Sequence, residues 1–104
     1  MNFKYFLNEE GKIAIQPKIK VELMKIIKDA IKEQGNNCDL NFIDTSKITD
    51  MSYLFYNTKF NGDISQWDVS NVKNMCRMFA KSDFNGDISK WDVSIVETMK
   101  GLFC

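Results

Sequence analysis

Apolar residues recur on two scales along the chain, a short one within segments and a long one between them. Two brief apolar runs flank Asn8-Glu9-Glu10-Gly11 near the start and predict a hairpin. Pro17 then opens a helix, about 18–34, with Ile19, Leu23, Ile26, Ile27, Ala30 and Ile31 on one side and Lys25, Lys28, Asp29, Lys32 and Glu33 on the rest. Gly35 and two asparagines end it.

Downstream the pattern is copied. FNGDISQWDVSNVKNMCRMFA from Phe60 and FNGDISKWDVSIVETMKGLFC from Phe84 agree at thirteen of 21 positions, 24 residues apart. A worn third copy begins at Asn36, with Asp39, Asp44, Ser46, Met51 and Phe55 in register with Asp63, Asp68, Ser70, Met75 and Phe79. A shared apolar skeleton at such a period predicts a solenoid whose units bury their faces against one another. Ile64, Trp67 and Val69 have the L-x-x-L-x-L spacing of a leucine-rich-repeat strand. Val72, Met75, Met78 and Phe79 fall on one stripe of a short helix, with Ser70 as its N-cap and Ser46 and Ser94 as its counterparts. Asn61-Gly62 and Asn85-Gly86 read as tight turns.

The expected architecture is therefore an α/β (or α+β) solenoid: a leucine-rich-repeat-like stack of strand–helix coils with an N-terminal hairpin and capping helix. Residues 1–104 form one domain, divided into a cap over 1–35 and repeats over 36–59, 60–83 and 84–104.

Composition changes this picture mainly by exclusion. The 104 residues carry 14 basic and 14 acidic side chains and no histidine. A balanced charge argues against nucleic-acid binding, which draws on a basic field. No apolar run is long enough to enter a membrane as a spanning helix. Without histidine, the usual catalytic triads and zinc sites are closed to this chain alone. Cys38, Cys76 and Cys104 are spaced like core thiols, with no C-x-x-C pair. The chain is expected to be no enzyme and to need no cofactor or metal. Its opening residues lack a secretory pattern, which leaves the compartment open, the cytoplasm included.

The repeat FNGDIS-x-WDVS-x-V-x-x-M-x-x-M/L-F resembles the BspA-like leucine-rich-repeat surface proteins of bacteria. That resemblance implies a leucine-rich-repeat solenoid, a bacterial surface or secreted location, and adhesion or protein binding. It carries no catalytic residues.

Function then reads as a non-enzymatic interaction module that binds a protein partner or itself. In a strand model Phe42, Asp44, Gln66, Asp68, Lys90 and Asp92 face outward and form a candidate partner-contact strip. Ile88, Trp91, Val93, Val96, Met99 and Phe103 lie in the last repeat with no polar cap after them. They form a candidate self-association edge, either covered by a second copy in a homodimer or by a partner, or belonging to a longer array. The alternative is a cation-binding or carboxylate-dependent protein. It would use the registers Asp39/Asp63/Asp87 and Asp44/Asp68/Asp92, although such aspartates more often cap backbone N–H groups in their own turns.

Overall fold

In each copy, three acceptor residues start three turns, and these nine turns shape the chain from residue 39 onward. A computed structural model describes residues 5–7 and 13–103, with side chains from residue 14. The side-chain oxygen of Asp39, Asp44, Asp50, Asp63, Asp68, Asn74, Asp87 or Asp92 accepts the N–H two residues on, at 2.8–3.0 Å. Thr98 does the same through its hydroxyl at 3.4 Å. The four residues after each acceptor close a β-turn, as in Trp67 N–H to Ile64 C=O, Val72 to Val69 and Met78 to Met75. Aspartate, asparagine and threonine suit this role because a short side chain can stand in for a backbone carbonyl.

In the first two copies the first and last residues of each turn are buried, and all but Thr45 are apolar. Leu40 and Ile43, Ile64 and Trp67, Val69 and Val72, and Met75 and Met78 are all buried. The apolar spacing of three residues thus marks the two ends of a turn.

This overturns the expected solenoid of strand–helix coils. Among the described residues, regular secondary structure consists of strands β1 (Tyr5–Leu7) and β2 (Ile13–Ile15) and helix α1 (Lys20–Gln34). The Ile64–Val69 segment forms no strand, because the turn that follows Asp63 bends it and the turn that follows Asp68 begins at Val69. The Val72–Phe79 segment forms no helix. Asn74 opens a new turn there, and Arg77 at φ 51° and Lys81 at φ 54° take left-handed backbone that an α-helix excludes. Ser46, Ser70 and Ser94 are therefore donors inside turns and cap no helix. The described residues form a small compact globule, with a radius of gyration of 13.0 Å, in place of an elongated array.

Residues one period apart nevertheless meet. Isolated parallel bridges join Asp39 to Asp63, Asp50 to Asn74 and Asn74 to Thr98. Rings pair at the same interval: Phe60 with Phe84 at 6.1 Å, Trp67 with Trp91 at 6.5 Å, Phe55 with Phe79 at 5.7 Å and Phe79 with Phe103 at 5.2 Å. Both indole N–H groups donate inward, Trp67 to Leu40 C=O and Trp91 to Ile64 C=O, so the tryptophans belong to the core.

Strands β1 and β2 pair antiparallel, and their connection lies outside the described residues. α1 begins at Lys20 and buries Leu23, Ile26, Ile27 and Ala30, while Ile19 is exposed. No side chain caps its start at Ile19, but Glu22 accepts the Lys18 N–H, and Gly35 ends the helix at φ 89°. The helix reaches the first copy through Lys20, whose ammonium donates to the Ser52 carbonyl at 3.1 Å and lies 3.4 Å from the Asp50 carboxylate.

The glycines of the Asn-Gly pairs differ from expectation. Neither Gly62 nor Gly86 has positive φ, and no turn forms at them. Gly62 is instead pressed against the Cys38 carbonyl, which accepts the Asp63 N–H at 3.1 Å.

Candidate functional site

The six residues of the candidate strip flank the turn ends Ile43, Trp67 and Trp91, and the structure treats them unequally. Phe42 and Asp44 are half-buried under β2: Phe42 C=O accepts the Ile15 N–H, and the Asp44 carboxylate accepts the Gln16 amide at 2.9 Å. Gln66, Asp68, Lys90 and Asp92 are exposed. A cavity of about 190 Å³ brings Phe42, Asp44, Gln66 and Asp68 together but leaves out Lys90 and Asp92. Its polar groups are largely committed. Asp68 holds the Ser70 N–H and hydroxyl, and the Gln66 N–H is bonded to Asn41.

The candidate edge lies on the third copy. Trp91 is buried, Ile88 and Val96 are half-buried, and Val93, Met99 and Phe103 are exposed. Their counterparts one period earlier, Val69, Met75 and Phe79, are 1 % exposed, against 38 %, 38 % and 57 % here. Ile95 extends this patch and escaped the sequence reading, which followed shared positions only. The signal was a break in the repeat: Ile95 stands where the second copy has Asn71, whose amide donates to the Ser46 carbonyl. A second apolar groove, about 380 Å³, runs between α1 and the first copy, lined by Met24, Ile27, Ile31, Leu54 and Phe55 among others.

The aspartate registers are occupied by the fold itself. Each of the aspartates in both registers accepts a backbone N–H, and among the described residues no group of three or more metal-ligating side chains converges. Cys38 is buried and Cys76 half-buried, both as free thiols; burial pushes the Cys38 thiol up, away from the reactive thiolate. Cys104 lies outside the described residues.

Several carboxylates sit below their usual range. The Asn41 side chain, then Ser65, holds Asp63 down; Ser89 and Ser94 do so for Asp87 and Asp92. At Asp44 and Asp50 burial pushes the other way. Hydrogen bonds from Ser46 and Gln16 outweigh it at Asp44, and those from Ser52, together with Lys20, do so at Asp50. A folded value below the unfolded one stabilises the protein above the unfolded value, near about 3.9, and that contribution is lost as pH falls through the folded value. The melting temperature should therefore hold from neutral pH to about pH 5 and drop below about pH 4. Asp63→Asn keeps the turn acceptor, as Asn74 does naturally. It should lower neutral stability by the charge-dependent part alone and make the acid limb shallower. An identical acid limb in the variant would contradict this origin.

A family model described as Mycoplasma protein of unknown function, DUF285, matches residues 22–104. No curated protein and no solved structure matches the chain. The family found is not that of the BspA-like leucine-rich-repeat proteins, so the surface location and adhesive role implied by that resemblance lose their basis.

Proposed function

We propose that this chain, which belongs to the DUF285 family, is a non-enzymatic module that binds another polypeptide through the apolar face of its third copy. One observation carries the reading. Residues of the same kind, in the same place in the repeat, are sealed in the second copy and open in the third. Val93, Ile95, Met99 and Phe103 lie within eleven residues of one another in the sequence, and such clustered exposure marks interaction surfaces more often than scattered exposure does. The aspartates offer less support for a catalytic or cation-binding role, because their oxygens already complete turns.

A photo-reactive phenylalanine analogue placed at position 103 in cells that make the protein tests this. It should give covalent adducts to another polypeptide, and the same analogue at exposed Lys59 should give few. Equal labelling at the two positions, or none at 103, would remove the face from consideration.

A further inference from the structure

We propose that the groove between α1 and the first copy binds a free long-chain carboxylate, with its acyl chain on Ile27, Leu54 and Phe55 and its head against Lys28. The site lies apart from the third-copy face and does not rest on the reading given to that face.

Helical spacing builds one wall. Met24, Ile27, Lys28 and Ile31 follow one another at three and four residues and so share one side of α1. Leu54, Phe55 and Thr58 of the first copy form the other wall. The helix is tied to the repeats at both ends. Lys20 donates to the Ser52 carbonyl at 3.1 Å, and just past Gly35 the Asn36 C=O accepts the Asn61 N–H at 2.7 Å. Between these ties the walls stand apart around about 380 Å³. Protein interiors seldom leave such space between apolar side chains, and small-molecule sites begin at about this volume.

The lining decides what fits. Ile27, Leu54 and Phe55 are buried apolar side chains, and Met24, an adaptable one, is exposed beside them. The polar groups of the walls are committed: the Thr58 hydroxyl donates to Phe55 C=O, and Asn36 C=O is taken. An extended peptide would bring backbone N–H and C=O groups that find few partners there, whereas a hydrocarbon chain needs none. Lys25 and Lys28 line the groove and no carboxylate does. Lys25 is paired with Asp29 at 3.1 Å, and among the described residues Lys28 has no ion-pair partner. Charge complementarity therefore calls for an anionic head. The head stays at the exposed rim, so burial of the chain supplies the affinity and Lys28 selects the sign.

The test is titration of the whole chain with dodecanoate below its micelle concentration, followed by methyl signals. A single dodecanoate should shift Met24, Ile27, Ile31 and Leu54 and leave Val93 and Met99 unmoved. Decanoate, shorter by two methylenes, should bind about tenfold more weakly. Lys28→Glu, at an exposed position, should weaken dodecanoate by about tenfold and strengthen dodecylammonium, with Lys28→Gln between the two. A merely structural role for Lys28 would not reverse the preferred charge. Several results would overturn the site. Dodecylammonium could bind the unaltered protein as well as dodecanoate does, which removes the role of Lys28. The shifts could fall on Val93 and Met99, which makes the third copy the apolar binder. They could require micelles, which makes the binding adventitious. The groove signals could move with protein concentration alone, which places a second copy there. Anionic phospholipid vesicles could sediment the protein while free dodecanoate leaves the groove unmoved, which makes it a membrane contact.

Discussion

Phe79→Ala lowers the stability of the protein by about 3–5 kcal/mol, whereas Phe103→Ala, the same change one period later, costs less than about 1 kcal/mol. Phe79 is 1 % exposed, and its ring lies 4.6 Å from Phe84, 5.2 Å from Phe103, 5.7 Å from Phe55 and 6.3 Å from Trp91. Truncating it removes a large apolar surface and leaves a cavity whose walls are rings held by their own neighbours, so collapse is limited. Phe103 touches the same cluster from outside and is 57 % exposed. Its removal returns only a partly buried face to water. Chemical denaturation of the two variants checks the contrast. Equal losses would mean that Phe103 is as enclosed in solution as Phe79, and the open face would then not exist.

The second large effect belongs to Gly62→Ala, which costs about 3 kcal/mol and lowers the melting temperature by about 12–20 °C. A Cβ at position 62 would overlap the Cys38 carbonyl oxygen and lie 2.7 Å from the Phe60 ring. The carbonyl cannot withdraw without losing the Asp63 N–H, and Phe60 is fully buried. Gly86 stands in the same place one copy later, where the nearest backbone atom is the Gly62 oxygen at 3.3 Å and the closest contact is the Phe84 ring at 2.6 Å. A ring can shift more readily than a bonded carbonyl, so Gly86→Ala should cost less. Gly35→Ala separates the mechanism from backbone conformation. That residue has φ 89° and ψ 176°, a conformation essentially reserved to glycine, with nothing within 4 Å, so its cost is conformational alone, about 1–3 kcal/mol. Thermal melts of the three variants should rank Gly62 worst. A loss at Gly35 equal to that at Gly62 would point to conformation in place of close approach.

These two predictions use the repeat differently. The Phe79 and Phe103 pair was visible in the sequence as a shared position with a difference in neighbours, because the apolar skeleton recurs every 24 residues. The Gly62 effect was not visible, and the Asn-Gly pair suggested a turn in its place. Asn-Gly favours left-handed backbone in isolation, but a missing Cβ serves equally where another backbone comes close. Only the position of Cys38 distinguishes the two uses.

The same division holds for the candidate surfaces. Of the six edge residues read from the sequence, Val93, Met99 and Phe103 are exposed, whereas Trp91 is buried and Ile88 and Val96 are half-buried; the carboxylates in turns were the commoner expectation for aspartates at those positions. The strip was only half legible. Covering of Phe42 and Asp44 depends on β2, a segment nearly thirty residues earlier, through the Ile15–Ile43 bridge.

From the sequence alone came the period, the helix before the repeats, its stop at Gly35 and most of the buried apolar residues, Ile19 excepted, because each depends on composition and spacing within a few residues. The backbone between those residues was decided in three dimensions. An apolar spacing of three suits a strand segment, a helical stripe and the ends of a turn equally well. The choice fell to turns through the side-chain acceptors at Asp63, Asp68 and Asn74, the left-handed backbone at Arg77 and Lys81, and the bonds from one copy to the next. Those bonds join groups more than twenty residues apart, so no local window of sequence contains them.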